Sequence, residues 1–157
     1  MKVLVNGCNG KMGQEVARQI KVIEDIDVLC GVARTDSGDN SFPVFTNTLD
    51  IDLIPDIIID FSKPAGTLDI LEFAKKNNIP IVIATTGFSD EENKKIEDAS
   101  RIIPIFKSAN MSYEINLMSK IVCEIAQKLR EADIEIIETH HNRKIDSPSR
   151  NGFTVSK

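Results

Sequence analysis

A doubly wound α/β fold, in which helices cover both faces of a parallel sheet, is what this sequence predicts, and three features carry that reading. Short apolar runs alternate with stretches of helical periodicity along the chain. The runs are apolar at consecutive positions, as in strands buried on both faces of a parallel sheet. A glycine-rich turn, Gly7-Cys8-Asn9-Gly10-Lys11-Met12-Gly13, follows the first run, at the place where folds of this class hold phosphate groups.

Residues 2–6 are the first expected strand. Met12, Val16, Ile20 and Ile23 recur at three- and four-residue steps, which is one face of a helix. Residues 27–32 are a second strand, followed by a turn-rich stretch over 35–47 with Gly38 and Pro43. Residues 56–60 form a third. Pro64 then opens a helix through Leu68, Leu71 and Phe73 that stops near Asn77 and Asn78. Residues 81–84 are a fourth strand. Residues 90–99 are a charged, exposed helix whose acidic first turn suits the positive helix N-terminus. A fifth strand over 102–106 leads to a long helix with Ile115, Met118, Val122, Ile125 and Leu129 along one stripe, and a sixth strand covers 134–138.

The chain has 157 residues, enough to bury a core, and is 41% hydrophobic and 27% charged, a globular and not a disordered balance. A net charge of −5 without any basic run argues against a nucleic-acid partner. No segment approaches the run of about 18 apolar residues that a membrane span needs. The first residues reach Gly7 too soon for a secretory signal, so a cytoplasmic protein is expected. Cys8, Cys30 and Cys123 lack the paired spacing of a zinc site or a disulfide framework, and no metal is expected.

The glycine turn nearly matches the dinucleotide fingerprint G-x-G-x-x-G. Gly10 and Gly13 fit, and the first glycine, Gly7, lies one position early. The plainer reading is a strand-to-helix turn with glycines for geometry alone. Cys8 reads either as a low-pKa thiol at a helix N-terminus or as a small residue in a tight turn. After the second strand, Ala33 stands where an acidic residue would hold a ribose 2′-hydroxyl, and Arg34 offers a cation instead. That favours a 2′-phosphate, hence NADPH over NADH. Asp36 lies nearby, and Arg34 as a solvated surface cation is the alternative.

Five segments carry a resemblance. Residues 3–13 end in G-x-x-G-x-M-G; Asp60-Phe61-Ser62-Lys63-Pro64 matches D-F-[ST]-x-P; Thr85-Thr86-Gly87 matches T-T-G; Ser108-Ala109-Asn110-Met111-Ser112 matches S-A-N-[FM]-S; and residues 138–149 match E-x-H-H-x-x-K-x-D-x-P-S. In order and spacing they resemble the 4-hydroxy-tetrahydrodipicolinate (dihydrodipicolinate) reductase family over residues 1–149. A different Rossmann-type protein, such as a CoA-binding subunit, fits the glycine turn but not residues 138–149.

The resemblance implies a Rossmann-type dinucleotide-binding domain over residues 1–139, with the start of a substrate domain over 140–157. It implies reduction of 4-hydroxy-tetrahydrodipicolinate to tetrahydrodipicolinate by hydride from NADPH or NADH, in diaminopimelate and lysine biosynthesis, by a homo-tetramer. Gly7, Gly10, Lys11, Met12 and Gly13 are then expected at the cofactor pyrophosphate, with Arg34 at the adenosine end and Asn9, Phe61 and Ser62 also in the cofactor set. Thr85, Thr86 and Gly87 are expected beside the nicotinamide ribose, and Ala109, Asn110 and Met111 beside the nicotinamide. His140 is the implied proton donor, a role that imidazole suits because it titrates near neutral pH. Lys144 shares the catalytic role and, with His141 and Ser149, holds the substrate carboxylates. Alone, two adjacent histidines after a strand are polar loop residues, and zinc is the weaker alternative because no partner is suitably spaced. A non-catalytic NAD(P)H-binding module is the competing function.

After Ser149 the pattern departs. The family continues Gly-Thr-Ala, whereas residues 150–157 read RNGFTVSK. With the family's substrate domain missing, we expect nucleotide binding with little or no turnover. Our hypothesis is a one-base insertion after the Ser149 codon. The codons AGG-AAC-GGC-TTT-ACT-GTT-AGC-AAA encode this tail, and dropping the first base gives GGA-ACG-GCT-TTA-CTG-TTA-GCA, or Gly-Thr-Ala-Leu-Leu-Leu-Ala. Sequencing the gene tests this: AAC is expected for Asn151, while AAT would place methionine where threonine belongs and sink the idea.

Overall fold

Runs of valine, leucine and isoleucine place strands side by side because each must hide both faces. The computed structural model describes residues 1–36 and 39–129, together with 131, 135 and 137. In chain order it has β1 (Lys2–Asn6), α1 (Lys11–Ile20), β2 (Asp27–Val32), β3 (Val44–Phe45), a short 3-10 turn (Thr48–Asp50), β4 (Ile57–Asp60), α2 (Pro64–Asn77), β5 (Ile81–Ile83), α3 (Asp90–Ser100), β6 (Ile105–Lys107) and α4 (Tyr113–Lys128). The strands form one sheet in the order β3-β2-β1-β4-β5-β6, and every pairing is parallel. This is a doubly wound sheet, the class expected from the sequence.

β1 shows why the sheet is covered twice. Its Val3 and Val5 join Cys8 and Ile20 in one buried cluster, whereas the intervening Leu4 joins Ile58, Ile70, Leu71, Ile81 and Ile83 in another. Successive side chains of a strand point to opposite faces, so α1 covers one face and α2 and α3 the other. Each aliphatic side chain buried this way contributes roughly 1.5–3 kcal/mol. The helix ends are chemically marked. Ser89 Oγ accepts the Glu92 amide while Glu92 Oε2 accepts the Ser89 amide at 2.7 Å, a reciprocal cap on α3. Asn78 ends α2 in the left-handed region, with φ 55°.

Several elements differ from expectation. The buried stripe of α1 is Gly13, Ala17 and Ile20, and Met12 and Ile23 are exposed. The helix is rotated because Gly13 lies against the backbone of Gly7. β3 was not foreseen: it is two residues long and emerges from the turn-rich stretch. The expected strand over 102–106 begins later, because the Ile102 and Ile103 amides still donate to Ala99 O at the end of α3. The expected strand over 134–138 includes residues outside those described.

The chain divides into two compact units, Met1–Ser108 and Ala109–Lys157. All six described strands lie in the first unit. In the second, Ser112 Oγ caps α4 by accepting the Ile115 amide, and Asn110 Oδ1 accepts the Ser112 amide at 2.8 Å.

Cys8 and Cys30 are buried, and burial pushes both thiols from their ordinary 9.0 up to about 11. The low-pKa reading of Cys8 is therefore overturned, since loss of water outweighs the helix N-terminus. Folding favours the protonated thiols, so this stabilisation is complete below pH 9.0 and fades as the pH rises towards about 11. At pH 8 a thiol-alkylating reagent is expected to modify the partly buried Cys123 quickly, and Cys8 and Cys30 only on unfolding. Fast labelling of Cys8 in the native protein would contradict the buried turn.

Candidate functional site

The carboxyl ends of β1, β2 and β4 open onto a groove of about 810 Å3. In chain order β1 is followed by β2 on one side, while β4 returns to pair on its other side. This change of direction is where open α/β sheets bind ligands. The turn after β1, the segment after β2, the residues after β3 and the start of α2 wall the groove.

The turn after β1 is built by close approach. Gly7 has φ +81°, and a Cβ there would sit 2.7 Å from Phe61 O. A Cβ on Gly13 would sit 2.2 Å from Gly7 O. Neither position admits a side chain, so the loop lies flat between β4 and α1. Gly7 N and Cys8 N both donate to Val32 O, at 2.8 and 3.2 Å, which ties the loop to β2. Gly10 N-caps α1 without any side-chain hydrogen bond, and the first turn carries no acidic residue. No side chain or acid therefore offsets the partial positive charge of the helix start, and Lys11 and Met12 there are exposed.

Asn9 behaves differently from its glycine neighbours. Its Nδ2 donates to Thr35 O at 2.6 Å, and its Oδ1 accepts from Asn40 Nδ2 at 2.8 Å. Arg34 is exposed on the groove wall and forms no ion pair among the described residues. Thr46, Asn47, Thr48 and Leu49 form a further wall that the sequence did not disclose, because it depends on the unforeseen β3.

Under the groove lies a buried polar cluster centred on Asp60, the last residue of β4. Its Oδ1 accepts from Asn6 Nδ2 at 2.8 Å, Ser62 Oγ at 2.6 Å and Ser62 N at 3.1 Å. Its Oδ2 accepts from Thr67 Oγ1 at 2.6 Å and Thr85 Oγ1 at 2.9 Å. Asn6 Nδ2 also donates to Gly66 O at 3.1 Å. This carboxylate is fully buried without a basic partner among the described residues, its charge spread over hydroxyl and amide donors. Asn6, Asp60 and Thr67 were missed as site residues. The available sequence signal was a carboxylate closing an otherwise apolar strand.

The cluster also decides how the expected cofactor residues are presented. Thr85 is buried and gives its hydroxyl to Asp60, so only its backbone faces outward chemistry. Thr86 and Gly87 are exposed, with Gly87 at φ +85° in open space. Phe61 and Ser62 line the groove. Ala109, Asn110 and Met111 belong to the second compact unit. His140, His141, Lys144 and Ser149 lie outside the described residues.

Residues 1–111 match the family model for the N-terminus of dihydrodipicolinate reductase, and residues 114–157 match that for its C-terminus. The chain belongs to the dihydrodipicolinate reductase family. The 4-hydroxy-tetrahydrodipicolinate reductase of Clostridium novyi is 41% identical over 149 residues, covering 94% of this chain and 59% of that protein. That of Caldanaerobacter subterraneus subsp. tengcongensis is 42% identical over 156 residues, covering 99% of this chain and 62% of that protein. The chain thus spans about three fifths of the length of these relatives. A dipicolinate-bound dihydrodipicolinate reductase from Paenisporosarcina sp. TG-14 superposes with a TM-score of 0.80 at 27% identity, covering 99% of this chain and 64% of that one. Apo scyllo-inositol dehydrogenase from Lactobacillus casei shares the fold alone, with a TM-score of 0.64 at 12% identity over 81% of this chain and 42% of that one. Among the described residues no helix is long and apolar enough to cross a membrane, and no group of residues is arranged to hold a metal ion.

Replacing Asp60 tests the cluster. Asp60→Ala removes the acceptor for buried Thr85 and weakens those of Ser62 and Thr67, which should cost about 2–5 kcal/mol of stability. Urea denaturation measures it, and an unchanged midpoint would show that the carboxylate is dispensable.

Proposed function

We propose that the groove holds a nicotinamide adenine dinucleotide, and that this chain supplies the cofactor-binding part of a 4-hydroxy-tetrahydrodipicolinate reductase acting in the cytoplasm. The observation that carries the reading is the cradle at the switch point. Gly7 and Gly13 leave no room for a Cβ, and α1 begins beside them without a side-chain cap. A diphosphate can approach that backbone and meet the amides of the helix start. The shape fits the cofactor at the observed turn.

Arg34 suits a 2′-phosphate at the adenosine end. It forms no ion pair among the described residues and shares the groove with the glycine turn, so NADPH is the preferred cofactor. Ser62 and the turn at 85–87 carry the cofactor beyond the pyrophosphate, held in place from below by Asp60.

When bound, the nicotinamide supplies hydride to the substrate ring. His140 would give a proton to the ring that takes up the hydride while the substrate's 4-hydroxyl group leaves as water, and His141, Lys144 and the Ser149 hydroxyl would hold the two substrate carboxylates. These residues follow α4 in sequence.

Titration calorimetry with NADPH and NADH tests the reading. The chain should bind NADPH more tightly, and Arg34→Ala should lower NADPH affinity by roughly 10–100-fold, the worth of a hydrogen bond to a charged group, with little effect on NADH. Binding of neither cofactor would overturn the assignment, and an unchanged preference in Arg34→Ala would remove Arg34 from it.

A further inference from the structure

The glycine turn contains one side chain that the phosphate cradle does not use. Asn9 sits among residues whose backbone faces the groove, yet both ends of its amide are engaged elsewhere. Nδ2 donates to Thr35 O at 2.6 Å, while Oδ1 accepts from Asn40 Nδ2 at 2.8 Å and from Cys8 Sγ at 3.6 Å. Its side chain therefore spans from the turn after β1 to the segment after β2, and a further bond reaches Asn40.

The consequence falls on Arg34. On one side of it, Val32 O is clamped by Gly7 N and Cys8 N, and Ala33 N donates to Phe45 O at 3.1 Å. On the other side, Thr35 O is clamped by Asn9. Arg34 is thus the exposed residue between two anchored carbonyls, and Asn9 supplies the second anchor. A long flexible cation gains selectivity only when its backbone is fixed, because otherwise binding must also order the loop.

We propose that Asn9 is a positioning residue that sets the preference for a dinucleotide bearing a 2′-phosphate, acting through the backbone of Thr35 and so through Arg34, without touching the cofactor. This rests on the assignment of the groove to a nicotinamide dinucleotide. The two cofactors differ only at the 2′ position, so a residue that acts through Arg34 alters their ratio. A residue that touches the pyrophosphate alters both alike. The same logic predicts that Asn9 and Arg34 are coupled, since removing the cation leaves the anchor nothing to position.

Calorimetry with NADPH and NADH on the unaltered chain, Asn9→Ala, Arg34→Ala and the double variant provides the test, with thermal melting alongside. Asn9→Ala should lower the NADPH-to-NADH affinity ratio about tenfold, the scale of one hydrogen bond to a charged group. In the Arg34→Ala background, Asn9→Ala should leave that ratio unchanged. Should Asn9→Ala fail to fold, Asn9→Ser and Asn40→Ala carry the same test, the latter with a smaller fall in ratio. An equal loss for both cofactors, or an unmoved ratio, overturns the role of Asn9. An unaltered chain that binds neither cofactor overturns the dinucleotide assignment itself, and the role of Asn9 with it.

Discussion

The structure turns on a carboxylate that cannot leave. Asp60 is fully buried at the end of β4, and an unpaired charge in that setting is tolerated only if several donors surround it. Those donors come from the end of β1, the turn into α2, the first turns of α2 and the segment after β5. Each contributes an ordinary hydrogen bond. Their geometry does more than their sum, because satisfying one acid fixes the relative positions of all these chain segments. The groove's floor is consequently rigid at the point where the strand order reverses, and the residues above it inherit that placement.

Much of this was legible in the sequence, and the reason is burial. β1, β4 and β5 are apolar at consecutive positions because α-helices cover both faces, and so each run announced a parallel strand. The glycine turn announced itself too, since Gly7 and Gly13 occupy places where backbone fills the space of a Cβ. What stayed hidden is what depends on distant pairing. β3 has two residues, and the bonds that hold it, Gly31 N to Pro43 O and Ala33 N to Phe45 O, leave no periodic trace. The wall at 46–49 was lost with it. Ile102 and Ile103 look like strand residues, but their amides still donate to Ala99 O at the end of α3. Asp60 stood in a recognised motif, but its role was out of reach, because its partners lie at positions 6, 62, 67 and 85. Thr85 was legible as part of the T-T-G motif and not as a donor to Asp60.

The groove divides its labour between two kinds of backbone. On the β1 side the chain is held by sheet pairing, by glycine contacts with no slack and by the cluster below, all independent of any ligand. For the proposed diphosphate ligand such a surface would have its donors already oriented, so little conformational entropy would be lost on binding. On the β2 side the chain leaves the sheet at Val32 and returns only for the two residues of β3, with few sheet bonds to define its path. Precision there has to come from side chains.

That division bears on how such a fold can change what it binds. Alterations in the glycine turn or beneath it disturb packing that the sheet needs, so they trade against stability. Alterations around Arg34 touch exposed positions whose partners lie mostly within the same loops. On the proposed assignment of the groove, affinity for the shared part of a dinucleotide would reside in the half fixed by the sheet. Discrimination between related dinucleotides would reside in the half that a few hydrogen bonds between loops define, where it could be retuned while the core stays as it is.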